Sequence, residues 1–324
     1  MAENTMRVVP PELAIDAAAF AEAAEAFIAD RVRAYRRNGA VLGLSGGLDS
    51  AVVATLAVRA LGPEKVLAIM LPERDSSPGS VRDARELAAK LGLRAETFDL
   101  SPALDALGVY QLLPFGAAKP EDVQSAIARL VPAGPGWSPY RTFREGADLS
   151  TGTANELISA VRAYANVKHR QRMVYWYYRG EVEDLLVLGA CNLTELEVGF
   201  FVRYGDSGAD IAPIEGLYKT QVFQLGSYLG LPETILAKSP SPDLLPGVTD
   251  EYALGLSYET LDRILHRLAR DVNTAAVARE LGLDPAVVEY VVSLRLASRP
   301  MREPPEVGPN PNSAGNAVGR ARAA

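Results

Sequence analysis

Between the apolar run at 41–44 and an alanine-rich stretch beginning at Ala51, the chain places Ser45-Gly46-Gly47-Leu48-Asp49-Ser50. Successive backbone amides in such a turn can line a concave nest, and a helix that starts there adds unpaired N–H groups and its positive end. That combination cradles phosphate. Two consecutive glycines between a buried strand and a helix are costly unless something must approach the backbone closely. A plainer reading of the same residues is a tight strand-to-helix turn capped by Ser45 or Asp49. Neither GxxxxGK followed by Ser or Thr nor GxGxxG occurs, so a Walker-type phosphate loop and a dinucleotide fingerprint are both unavailable.

Other residues have types and positions that could serve such a cradle. Asp49 projects from the nest and Glu195 follows a second apolar run at 185–190. Two carboxylates facing a triphosphate suit Mg²⁺, which keeps water and phosphate ligands; Glu195 reads equally well as a helix-surface residue, since Glu197 stands beside it. Lys219 lies near the start of a helix, where a cation opposes the dipole, and so calls for an anionic partner. Asp206 and Asp210 flank Ser207-Gly208, where their side chains could cap turns. Ser241, within SPSPDL, either meets a nucleotide or holds its own loop. The helix ANVKHRQRMVYWYY offers Arg170 and Arg172; its His169 and the aromatic run Tyr175 to Tyr178 read as packing, and His266 as a surface residue.

The elements that must position these residues alternate. Helical spacing marks 11–37, about 49–61, about 80–91 and about 153–179, and apolar runs mark strands at 40–45, 66–72, 94–100 and 184–190. Strands separated by helices predict a doubly wound, mostly parallel α/β sheet, whose ligands sit beyond the carboxyl ends of its strands. A helix starts near Tyr218, and three further helical stretches occupy roughly 257–298. Residues 101–150, rich in Pro and Gly toward their end, are expected to be an insertion of short helices and loop over the sheet edge or site mouth. Residues 1–300 are thus expected to form one catalytic domain, and 301–324 a flexible tail without a periodic apolar face.

Composition narrows the chemistry further. A net charge of -7 over 324 residues argues against a surface built for nucleic acid, and no apolar run approaches a membrane span. The opening residues lack the basic and apolar regions of a signal peptide, so a cytoplasmic protein with small-molecule substrates is expected. One cysteine, Cys191, and two histidines leave a Cys/His zinc site improbable and point to an oxygen-bound metal.

The stretch GLSGGLDSAV resembles the pyrophosphate loop of ATP pyrophosphatases. A second stretch, GFFVRYGDSGADIAPIEGLYKTQVFQLGSYLGLPETILAKSPSPDLLPG, followed by DEYALGLSYETLDRIL, is similar to the catalytic region of NAD synthetases of the ammonia-dependent type. The resemblance covers roughly residues 20–300 and implies an adenine-nucleotide α-hydrolase-like fold. It implies ATP-dependent amidation of deamido-NAD to NAD through an acyl-adenylate, with ammonia as nitrogen source and AMP and pyrophosphate as products. It further implies that Gly43, Leu44, Ser45, Gly46, Gly47, Leu48, Asp49, Ser50, Lys219 and Ser241 bind ATP. On the same basis Asp49 and Glu195 would hold Mg²⁺, Asp49 and Lys219 would be catalytic, and Arg170, Arg203 and Asp210 would contact the dinucleotide.

Three departures accompany the resemblance. Ala190 stands where the family usually has a threonine, Arg203 replaces a lysine, and Arg299-Pro300 falls where many members have His-Lys. They keep open an alternative, a related amide ligase for another pyridine or aromatic carboxylic acid. No segment is long enough for a glutamine amidase domain, so ammonia is expected free or from a separate protein. A homodimer is expected from the family and from the apolar faces of 14–28 and 164–178. A tRNA-thiolating enzyme would favour basic surface and extra cysteines, and a non-enzymatic binding protein would not need the loop, its aspartate, Glu195 and Lys219 together.

Overall fold

A computed structural model describes residues 9–113, 120–129, 131, 134–145, 152–245, 247–270 and 273–308. Four parallel strands form its sheet in the order β3-β2-β1-β4, with β1 at Gly39–Gly43, β2 at Val66–Met70, β3 at Arg94–Thr97 and β4 at Leu185–Leu188. Ala40 pairs with Val66 on one side of β1 and with Leu186 on the other. Every residue of β2 and β4 is buried, as a parallel sheet covered on both faces requires. β3 is the exposed edge.

The period-two alternation of strand side chains divides the core. Ala40, Leu42, Ala68 and Leu186 face the helices Ala17–Ala34, Leu48–Leu61, Pro78–Leu91 and Lys219–Tyr228. Val41, Leu67, Ile69 and Val187 face the other way, toward Tyr164 and Trp176 of the long helix Gly152–Glu183. A second apolar cluster joins the helices Tyr258–Leu268, Thr274–Leu281 and Pro285–Arg302. Ser257, Asn273 and Asp284 cap their amino ends through side-chain oxygens, which fixes where each helix starts.

The expected α/β order is present, with several boundaries moved. The helix expected over 11–37 is a short 3-10 turn at Pro11–Leu13 and then Ala17–Ala34, because Asp16 accepts from the Ala19 N–H at 3.0 Å and restarts the chain as a helix. The strands end at Met70, Thr97 and Leu188, short of the expected 72, 100 and 190. Pro139–Glu145, expected as loop, is a helix. There Ser138 accepts from the Arg141 N–H at 3.1 Å and is anchored 2.6 Å from the Tyr290 hydroxyl, a contact made across 152 residues. Parts of the expected insertion, 114–119, 130, 132–133 and 146–150, and the tail from 309 lie outside the described residues. Among the described residues no helix is long and apolar enough to cross a membrane.

Candidate active site at the carboxyl edge of the sheet

Leaving β1, the chain runs into a loop whose glycines are required by close approach. A Cβ on Gly43 would stand 2.4 Å from the Trp176 ring, and one on Gly46, at φ +78, would stand 2.1 Å from the Ser80 carbonyl oxygen. Only glycine fits there. Two serines stitch the turn: the Ser45 N–H donates to Ser50 Oγ at 3.2 Å, Ser50 Oγ donates to the Gly47 carbonyl at 3.1 Å, and the Gly47 N–H donates to Ser45 Oγ at 3.2 Å. Gly47 is the N-cap of Leu48–Leu61 and provides no capping side chain. The first turn of that helix therefore offers its N–H groups to whatever enters.

The loop opens on a cavity of about 560 Å³. Gly43, Leu44, Ser45, Gly47, Leu48, Asp49 and Ser50 line it, together with Glu195, Lys219 and Ser241. Gly46, expected among them, does not line it; Lys238 Nζ donates to its carbonyl at 3.3 Å and to Ser80 Oγ at 3.0 Å, and pairs with Asp83 at 3.0 Å. Ser241 reaches the cavity wall while holding its own loop, donating to the Val248 carbonyl at 2.9 Å and accepting from the Asp243 N–H at 3.1 Å.

Lys219 is the centre of a buried charge cluster. Its ammonium pairs with Asp49 and stands 3.6 Å from Glu195. Asn192 ties the two acids together, donating to Asp49 Oδ1 at 3.0 Å while it forms a capping box with Glu195 at the start of Leu193–Val198. Below Lys219 lies the Tyr258 ring, 5.2 Å away, whose hydroxyl donates to buried Asp250 at 2.8 Å. Thr194 and Asp262 seat the helix start: Thr194 Oγ1 accepts from the Lys219 N–H at 2.9 Å, and Asp262 from the Thr220 N–H at 2.8 Å. A lysine at a helix amino end, unfavourable for the dipole, is thus held by anions from three other elements.

Burial alone would pull the Lys219 pKa down, but Asp49, Glu195 and Asp250 outweigh it and push it up. Burial, with repulsion from Asp49, drives Glu195 well above the ordinary carboxylate range against the opposing pull of Lys219. Asp250 is also raised, chiefly by burial. Three acids around one ammonium leave negative charge with too little compensation, an environment that favours a hard cation. Among the described residues no three metal-binding side chains converge on one point, so Asp49 and Glu195 would supply two ligands and phosphate or water the rest. That donor set fits Mg²⁺.

The dinucleotide contacts expected at Arg170, Arg203 and Asp210 do not line this cavity. Arg170 is exposed, its Nε 3.4 Å from the Arg203 carbonyl. Arg203 borders a separate hollow and donates to the Pro300 and Glu303 carbonyls at 3.0 and 2.6 Å. Asp210 fastens its loop to β4, accepting from the Val187 N–H at 2.9 Å and from Tyr177 at 3.1 Å. Arg172, two positions from Arg170, does face the cavity, because a helix turns about 100° per residue and two steps reverse the face.

Sequence reasoning did not single out Asn192, Lys238, Asp250 or Tyr258. The spacing of Asn192 and Glu195 was a readable capping-box signal; Lys238 becomes meaningful only when folding brings Gly46 to it. Ala190 lines the cavity without a hydroxyl. Arg299 is exposed and pairs with Glu303 at 2.7 Å, and Pro300 lies inside the last helix. Cys191 is a buried free thiol whose pKa burial pushes well up, consistent with packing. His266, expected at the surface, is instead half-buried and packs edge-on to Tyr218 at 6.1 Å.

A parallel Rossmann-like sheet, C-terminal helices and a glycine nest beyond the first strand define an α/β nucleotide-binding fold of the ATP pyrophosphatase kind. The family model described as NAD synthase matches residues 20–132 and 137–305. The chain is 39% identical over 283 residues to the NH(3)-dependent NAD(+) synthetase of Thermotoga maritima, covering 86% of this chain and 95% of that one. It is 35% identical over 268 residues to the enzyme of the same description from Methanocaldococcus jannaschii, covering 83% and 88%. Among solved structures it resembles NMN synthetase from Francisella tularensis (TM-score 0.67, 27% identity, covering 92% of this chain and 100% of that one). It also resembles NH3-dependent NAD synthetase from Campylobacter jejuni (TM-score 0.64, 26% identity, covering 91% and 100%). The chain belongs to the NAD synthetase family, ammonia-dependent type.

Proposed function

We propose that this chain amidates deamido-NAD to NAD with ATP and ammonia, in the cytoplasm. A carboxylate is a poor electrophile, and adenylation turns one of its oxygens into part of a good leaving group, AMP. The nest and Lys219 hold the pyrophosphate portion of ATP, so that negative charge developing on the leaving group meets fixed N–H dipoles and an ammonium. The carboxylate oxygen attacks the α-phosphorus and expels pyrophosphate; ammonia then attacks the acyl carbon and expels AMP, its surplus proton passing to solvent. Asp49 and Glu195 would hold Mg²⁺, which when bound neutralises phosphate charge. Lys219, held beside Asp49 and Glu195, supplies an ammonium to the same phosphates. The observation that carries this reading is the Asp49–Lys219–Glu195 cluster facing the glycine nest across one cavity.

The acid end of the site is completed by a second copy of the chain. Val174, Tyr178 and Val182 make an exposed apolar stripe at helical spacing on Gly152–Glu183, the element that also bears Arg170. A two-fold dimer buries such a stripe against its own copy and encloses Arg170, Arg203 and Asp210, which one chain leaves outside the cavity. The nitrogen arrives as ammonia, free or delivered by a separate protein.

Two observations favour a second reading of the acid. The fold likeness to an NMN synthetase, together with Ala190, fits an amide ligase for another pyridine carboxylic acid. Incubation with ATP, Mg²⁺, ammonia and deamido-NAD should yield NAD, AMP and pyrophosphate in equal amounts. Nicotinate mononucleotide and free nicotinate, assayed in parallel, decide between the readings: faster turnover of either than of the dinucleotide would move the assignment.

A further inference from the structure

Arg144, Arg162, Arg172, Lys219 and Lys238 line the cavity; Arg144 donates to the Val198 carbonyl at 2.9 Å and Arg162 is exposed, which leaves Arg172 as the half-buried cation of interest. Arg172 faces inward from Gly152–Glu183, one turn from Trp176. Among the described residues its guanidinium makes a single long hydrogen bond, 3.4 Å from Nε to the Leu71 carbonyl just beyond β2. Lys219 and Lys238, which line the same cavity, are each ion-paired. The acids nearest Arg172 are engaged elsewhere. Glu73 takes Lys168 at 3.1 Å and Tyr110 at 3.0 Å, Asp243 accepts from the Ser77 N–H at 3.1 Å, and Asp206 accepts from the Val202 N–H at 2.7 Å.

A guanidinium does not shed its proton to relieve such a position. Burial works against its charge, and the distant acids only partly offset this. Met70, Pro72, Trp176 and Leu244 line the same cavity, and Arg172 is itself half-buried. A cation kept without a counter-ion in apolar surroundings is costly until an anion arrives. Its planar fork matches carboxylate and phosphate oxygens, which a lysine ammonium does not.

We propose that Arg172 binds an oxyanion of the two co-substrates inside the cavity, either a phosphate of ATP or the carboxylate that is to be amidated. The proposal rests on reading the site as that of an ATP-dependent amide ligase. β1 and β2 are neighbours, and adjacent strands lie about 4.8 Å apart. The nest at the end of β1 and the guanidinium at the end of β2 therefore grip one bound substrate pair from two sides. Arg172, rather than the outward-facing Arg170, is the arginine of the pair that acts within a single chain.

The test compares the wild-type protein with Arg172→Met and Arg172→Lys. Calorimetry measures Mg²⁺-ATP binding with no acid present, and steady-state kinetics measures the KM for deamido-NAD at saturating ATP and ammonia. Arg172→Met should weaken one of the two by about tenfold or more, the effect of losing a charge-assisted contact, with little change in Tm. Arg172→Lys should restore only part of the loss. Weaker ATP binding identifies a phosphate; intact ATP binding with a raised dinucleotide KM identifies the carboxylate. If both quantities stay within about twofold of wild type, the proposal is overturned. Should Arg172→Met fail to fold, Arg172→Lys decides by the same two measurements. A wild-type protein that binds ATP but makes no NAD would sink the proposed function separately; weakened ATP binding in the variant would then sustain the role of Arg172, and unchanged binding would overturn it.

Discussion

The nest at 43–50 and the surface carrying Arg170, Arg203 and Asp210 are built on opposite principles. In the first, every close approach is fixed within one chain: Ser45 and Ser50 stitch the turn, Lys238 holds the Gly46 carbonyl, and Asn192 sets Asp49 beside Glu195. In the second, the side chains bond backbone outside the cavity, at Arg203 to Pro300 and Glu303 and at Asp210 to Val187, with Arg170 and Asp210 exposed. A phosphate cradle must be rigid before its ligand arrives, since preorganised dipoles are what stabilise developing charge. The second surface, if a second subunit completes it as proposed, needs no such rigidity in the single chain.

Replacement of Lys219 by Met should do the greatest damage on the rigid side. It leaves Asp49, Glu195 and Asp250 close together with no ammonium, and breaking a buried pair in this way costs about 3–5 kcal/mol. Adenylation, followed as ATP–pyrophosphate exchange, should vanish and chemical denaturation should shift to lower denaturant; a stable variant with full exchange would refute the assignment. Asp49→Asn should be gentler on the fold, because the amide can still accept from Asn192, yet exchange should fall by about 10²–10³-fold, the scale of losing one electrostatic contact to a transition state. Near-normal exchange at limiting Mg²⁺ would remove Asp49 from the metal site.

Gly46→Ala tests the nest itself. The new Cβ meets the Ser80 carbonyl at 2.1 Å and forces a positive φ on a residue that resists it, with left-handed backbone alone costing about 1–2 kcal/mol. The KM for ATP should rise more than the KM for the acid. If the two rise equally, the loop is not a phosphate cradle but only a turn.

The raised pKa of Glu195, caused first by burial and then by Asp49, gives a pH signature. Mg²⁺ needs the carboxylate form, so a proton held by Glu195 competes with the metal. Binding should therefore tighten as pH rises toward the Glu195 pKa, and calorimetry in buffers of different ionisation enthalpy should detect proton release. Glu195→Gln should abolish that release; its persistence would assign the proton elsewhere.

The smallest effects belong to the open surface. Arg170→Ala should raise the KM for deamido-NAD while leaving ATP binding within about twofold, since Arg170 lies outside the cavity of its own chain. Tyr178→Arg places charge in the exposed apolar stripe and should shift sedimentation toward monomer, with the dinucleotide KM rising in step. A monomeric variant of unaltered KM would separate the acid site from assembly.

Much of the ATP end was legible in the residues. Paired glycines after an apolar run, a carboxylate at the start of the next helix and a lysine at an unfavourable helix end each record a local constraint, and local constraints survive in a linear string. Alternating apolar runs and helical periods likewise placed the four strands in chain order, although the strand ends were overextended because apolar residues such as Leu71, Leu100 and Ala190 continue past the last ladder bond. Pro139–Glu145 was misread for the complementary reason: its composition is that of a loop, and the Ser138–Tyr290 contact that fixes its start is made across 152 residues. Asp250, Lys238 and Arg172 acquire their roles only when distant segments converge on the cavity. The sequence by itself determined which groups could cradle a phosphate. The tertiary structure decided which charges share one buried space, since Coulombic interaction depends on distance and burial, and neither is written along the chain.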